Sequence, residues 1–175
     1  MFKKKSAYVL PIVVLLFLSL ITNGGTVGTR VKAQDSDKVQ QQTVYIHTIQ
    51  SGNGKLAITA DEINWYQGAD ADRIFAEREP EAAAEIGGTP DNYYIVNDID
   101  TLTTYPIADN AKVFMQIYDH TGNMGDLDIN WNEEITLNQF TDQFNKTDII
   151  DLSQFPYHIT IQDGIITTIV QQYIP

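Results

Sequence analysis

Two places in this sequence set carboxylates beside large aromatic rings. Asp61 and Glu62 precede Trp65 and Tyr66, and Glu133 and Glu134 follow Trp131. Hydrolysis of a glycosidic bond needs one carboxyl as acid and a second as base or nucleophile across the bond. Aromatic rings offer flat apolar faces for stacking, so Trp65, Tyr66 and Trp131 are the candidate glycan-binding residues, with or without hydrolysis. Each feature has a plainer reading. A chain with 23 carboxylates produces such neighbours by chance, and Trp65 fits a core position. Glu133 and Glu134 stand just before a helical tract, where the helix dipole favours negative charge.

A second set of side chains could hold a cation. Asp126, Asp128, Asn130 and Asn132 alternate along the chain, with Asp119 and His120 upstream. An extended segment would place the alternating four on one face, and Asp119, Asp126, Asp128, Asn130 and Asn132 together offer the oxygen donors that calcium prefers. Calcium is therefore the candidate cofactor. The EF-hand pattern fails, because Trp131 holds the glycine position and Leu137 the place of the bidentate acid. The plainer reading is a solvated loop.

Other chemistries lack their residues. Ser36, Ser51 and Ser153 could meet His47, His120 or His158, but no G-x-S-x-G elbow is present, and turn chemistry accounts for Ser51 and Ser153. No H-E-x-x-H pair occurs, and no cysteine occurs at all, which removes disulfides, thiol catalysis, thiolate metal sites and lipid acylation on cysteine.

The N-terminus has the layout of an export signal. Lys3, Lys4 and Lys5 form a basic start, an apolar run spans Ala7 to Ile21, and Val31-Lys32-Ala33 offers a cleavage site before Gln34. Residues 1–33 are thus expected to be a signal peptide, and 34–42, with three glutamines in a row, a disordered leader. Residues 43–175 are expected to form a single domain. The run is short for a transmembrane helix, so the protein is expected outside the membrane, secreted or wall-associated, and anchored only if the signal stays uncleaved. The chain carries −12, and removal of Lys3, Lys4, Lys5, Arg30 and Lys32 makes it more acidic still. Such a surface repels phosphate backbones and anionic membranes, which sets nucleic-acid binding aside.

The elements that would position these residues are mostly strands. Thr43 to Gln50 is rich in β-branched and aromatic residues, Ser51-Gly52-Asn53-Gly54 is a turn, and Leu56 begins the return. Ile63 and Trp65 fall out of step with Leu56 and Ile58, which predicts a bulge or short helical turn near Asp61. Gly68 to Gly87 is helical, with Pro80 either kinking it or starting a second helix. Extended stretches follow at Tyr93 to Asn97, Leu102 to Ile107 and Ala111 to Asp119. Ile135 to Asn145 is a short helix with a Thr136–Gln139 capping box and Ile135 stapled to Phe140. The chain closes in a hairpin around Asp163-Gly164. A tight two-residue turn there sets Ile161 opposite Ile166, Thr160 opposite Thr167 and Tyr157 opposite Val170. It would bury Tyr157, Ile159, Ile161, Ile166, Thr168 and Val170. The fold class is therefore α+β, mainly antiparallel β: a small curled sheet or OB-like barrel with one or two helices.

Three blocks of residues resemble a known group. Thr59-Ala60-Asp61-Glu62-Ile63-Asn64-Trp65-Tyr66-Gln67-Gly68-Ala69-Asp70-Ala71, then Asn92-Tyr93-Tyr94-Ile95-Val96-Asn97, then Pro156-Tyr157-His158-Ile159-Thr160-Ile161-Gln162-Asp163-Gly164 with closing Gln172-Tyr173-Ile174-Pro175 are similar to small, uncharacterised exported proteins of Gram-positive bacteria. The resemblance implies export to a Gram-positive envelope and supplies no catalytic residues. Together with the missing nucleophile and cofactor motifs, it leaves a non-catalytic module that binds an envelope protein or wall component. The alternative is a wall glycan hydrolase using Asp61, Glu62, Glu133 or Glu134.

Overall fold

A computed structural model describes residues 39–175. The expected signal peptide and the first part of the expected leader lie outside the described residues. The elements in chain order are β1 (Val39–Gly52), β2 (Lys55–Gln67), α1 (Ala69–Arg78), α2 (Pro80–Ile86), β3 (Tyr93–Val96), β4 (Leu102–Met115), β5 (Glu133–Ile135), α3 (Leu137–Phe144), β6 (Pro156–Gln162) and β7 (Ile165–Gln171).

Strand order across the sheet is β3-β2-β1-β6-β7-β4-β5, and an additional β2–β4 pairing closes β1, β2, β4, β7 and β6 into a ring. All ring pairings are antiparallel except β4–β7, which is parallel. This is the OB-like five-stranded barrel expected from the sequence, with α3 between its third and fourth strands. Among the described residues, three helices accompany the barrel rather than one or two, because Pro80 stops α1 and occupies the first turn of α2.

Inward side chains fill the barrel. Val44, Ile58, Val113, Met115, Ile166 and Ile169 are fully buried, and α3 closes one end with Phe140 and Phe144 against Tyr157. Each such side chain contributes roughly 1.5–3 kcal/mol of burial. The α3 capping box is present, with Thr136 Oγ1 accepting from the Gln139 N–H and Gln139 Oε1 accepting from the Thr136 N–H.

Four expectations are corrected. The chain is already a strand at Val39, because Gln40, Gln41 and Gln42 pair with Ile161, Thr160 and Ile159 of β6; ladder pairing overrides their polar composition. The register irregularity falls in β1, between Ile46 and Thr48, rather than in β2. The out-of-step Ile63 and Trp65 are explained differently: Leu56, Ile58 and Ala60 face the barrel, whereas Asp61, Ile63 and Trp65 share the outer face with Tyr45 and Thr43. The two expected stretches 102–107 and 111–119 are one strand, β4, whose register with β7 breaks between Ile107 and Lys112.

The hairpin is the fourth. Asp163 and Gly164 take φ of 53° and 78°, the two left-handed positions the turn needs. Ile161 does oppose Ile166. A register shift then sets Thr160 opposite Thr168, and Tyr157 opposite Gln171 rather than Val170. The extra residue turns β7 over, so Ile169 and Gln171 are buried while Thr168 and Val170 are only partly so.

Candidate functional site

The four candidate carboxylates separate. Asp61 lies opposite Leu102 and Glu133 opposite Met115, the first and last residues of β4. Asp61 is 3% exposed. Its Oδ2 accepts from Asn97 Nδ2 at 2.6 Å and its Oδ1 from the Thr101 N–H at 2.9 Å, pinning the β3–β4 connection. Glu62 accepts from Gln42 Nε2. Glu134 pairs with Lys112, while its neighbour Glu133 accepts from the Tyr118 hydroxyl at 2.7 Å and meets His120 Nε2 at 3.0 Å. Those contacts, the tyrosine hydrogen bond foremost, hold the Glu133 carboxyl below the usual range. Burial and the same bond push the Tyr118 phenol up. Carboxyls at opposite ends of one strand do not flank a common bond, so neither Asp61 nor Glu62 is brought across from Glu133 or Glu134 as two-carboxylate hydrolysis would need.

The candidate calcium donors serve the loop after β4. Asp119 Oδ1 accepts from the Thr121 and Gly122 N–H groups, and Asp126 Oδ2 from Thr121 Oγ1 and Asn123 Nδ2. Asn132 takes φ of 57°, a left-handed value asparagine tolerates. Its N–H donates to Gln116 Oε1 and its Oδ1 accepts from Gln116 Nε2. The Asn130 N–H donates to the Gln116 carbonyl. Among the described residues, no three acidic or histidine side chains gather closely enough to hold a metal ion.

What the structure does bring together is a band of rings and amides across the outside of the barrel. Trp65 stacks on Tyr93, with ring centroids 4.6 Å apart and planes 12° from parallel. Its edge meets His158 at 6.1 Å. His158 Nδ1 bonds Thr43 Oγ1 at 2.9 Å, and Nε2 bonds Gln172 Oε1 at 3.1 Å. Tyr173, next along the chain, packs edge-on against Trp131 at 5.8 Å, and Trp131 is 66% exposed. Of the expected glycan-binding residues, Trp65 and Trp131 thus sit at two points of one band. Tyr66 does not: it follows Trp65 on a strand and turns to the opposite face, where it pairs with Tyr94.

A buried amide network places the far end of the band. Gln171 Oε1 accepts from the Gln116 and Ile117 N–H groups, and Gln116 Nε2 donates to the Gln171 carbonyl. Gln116 then grips Asn132, next to Trp131. Sequence reasoning missed both glutamines. The available signal was polar residues next to alternating apolar ones, Val113 and Met115 in β4 and Ile169 in β7, where a buried amide must find partners.

At the near end, Tyr45 joins the band to a cleft of about 630 Å³, lined by Tyr45, Ile46, His47, Asp61, Asn97, Asp100, Leu102, Ser153 and Gln154. Burial, and secondarily Tyr93, pushes the Tyr45 phenol up. No protein-family model, curated protein or solved structure matches this chain.

Proposed function

We propose that this protein is an exported, non-catalytic module that binds a partner protein or wall component of a Gram-positive envelope through the outer face of its barrel. The observation that carries this reading is the band running from Tyr93 and Trp65 through His158 and Gln172 to Tyr173 and Trp131. Trp131 is exposed and the other rings of the band are partly so; rings fixed by neighbours lose little freedom on binding, which is why aromatic anchors dominate interfaces. The acidity of the chain disfavours phosphate backbones as partners. Export rests on the layout of residues 1–33 and on the resemblance to small exported proteins.

The test is retention of envelope fractions by the immobilised protein. Trp131→Ala combined with Tyr173→Ala should abolish retention, while the melting curve stays close to that of the unaltered chain. Equal retention by the double variant would overturn the reading, because the exposed end of the band would then make no contact.

A further inference from the structure

The cleft beside Tyr45 is lined by a buried carboxylate, Asp61, that none of the described lysines or arginines pairs with. Asp61 is among the least exposed carboxylates in the described chain, at 3%, and acidic side chains are almost never fully buried unless paired. Its bonds to Asn97 and Thr101 use neutral donors, and a carboxylate has about four acceptor positions. Asp100 and His47 line the same cleft, and among the described residues the lining contains no lysine or arginine. The described lysines and arginines are Lys55, Arg73, Arg78, Lys112 and Lys146. Three of them are engaged elsewhere, with Asp70 and Glu77, with Asp98 and with Glu134. Tyr45 from β1 and Leu102 from the start of β4 line the same cleft and bring apolar surface to it.

Two carboxylates that line one cleft with an aromatic ring and an aliphatic side chain match one common side chain. A guanidinium is planar, stacks on aromatic faces, is more weakly hydrated than an ammonium, and donates in a fork that fits carboxylate oxygens. We infer that this cleft is a receptor for an arginine side chain of the partner, which lies between Tyr45 and Leu102 and donates to Asp61 and Asp100. The partner is then a protein with an exposed basic residue, and it approaches a strongly acidic surface whose field favours its arrival. This deepens the reading of the outer face as a binding surface, but its test uses an isolated amino-acid derivative and stands or falls without the rest of the band.

The experiment titrates the isotope-labelled full chain with N-acetyl-arginine amide and follows the backbone amide resonances. The expected result is a saturable shift confined to Asp61, Asn97, Thr101 and Leu102. N-acetyl-citrulline amide, which has the same shape and no charge, should bind about tenfold more weakly. Asp100→Asn, at an exposed position, keeps the fold and should weaken arginine binding several-fold. Equal binding of the two derivatives would overturn the inference, as would shifts spread over the whole acidic surface. Calcium alone reproducing the shifts and displacing the arginine derivative would also overturn it, making the cleft a hard-cation site.

Discussion

Trp65 lies nearly parallel to Tyr93, with 12° between ring planes and 4.6 Å between centroids. The two residues come from β2 and β3, and the stack covers the outer side of a ladder only four residue pairs long. β3 is an edge strand with no other ladder partner among the described residues. Such a short edge depends on side-chain pairing as well as on its hydrogen bonds. Trp65→Ala should therefore cost about 2–3 kcal/mol, counting lost burial and lost stacking. Trp65→Phe should recover about half of it. Denaturant midpoints measure both, and a fully stable alanine variant would show that the stack is incidental.

Gly164 sets the C-terminal turn at φ 78°, behind Asp163 at 53°. A β-branched side chain resists that region, so Gly164→Val should destabilise by about 1–3 kcal/mol. Gly54, at φ 76° in the β1–β2 turn, gives the comparison. The same substitution there should cost a similar amount, because both turns repeat the same pair of positive φ values. Thermal unfolding of the two variants checks this.

Glu133 should leave a signature in acid. Its carboxyl is held below the ordinary value of 4.5, first by the Tyr118 hydroxyl and then by His120. The folded state therefore binds this proton less readily than the unfolded state. The stabilisation is fully present above the unfolded pKa and is lost as pH falls through the lowered folded value. Asp72, Asp98 and Asp151 are lowered too, so the diagnostic is a difference. Glu133→Gln should flatten the fall in melting temperature below about pH 4.5 relative to the unaltered protein. Identical acid limbs would show that the Tyr118–Glu133 bond contributes nothing to stability.

Millimolar calcium should raise the melting temperature no more than magnesium does. Asp119 and Asp126 spend their oxygens on the turn that they close, and Asn132 spends its Oδ1 on Gln116. A site that must first break those bonds gains little by mass action. A calcium-specific rise of several degrees would show that the loop rearranges around the ion.

Much of the barrel was legible, and the reasons are local. Asp163-Gly164 and Asn53-Gly54 announce their hairpins through residues that accept positive φ. Thr136 and Gln139 announce α3 through the capping box. What was not legible came from pairing partners distant in sequence. Three glutamines look like a leader until β6 supplies their ladder, and the register of β7 depends on an extra residue that no turn rule reveals. The candidate site was less readable still. Trp65 and Trp131 could be picked out by type, but they join one band only through His158 and Gln172. Asp61 looked like a catalytic carboxyl because sequence cannot show burial.

The ring of strands also sets an order of events. Thr43 reaches His158 across 115 residues, and β4 cannot acquire its parallel neighbour until β7 has formed. Pairings that close such long loops form slowly. The barrel cannot shut before β7 is available, because β7 is the strand that joins β6 to β4, so a chain cut short of it keeps an open ladder instead of a ring.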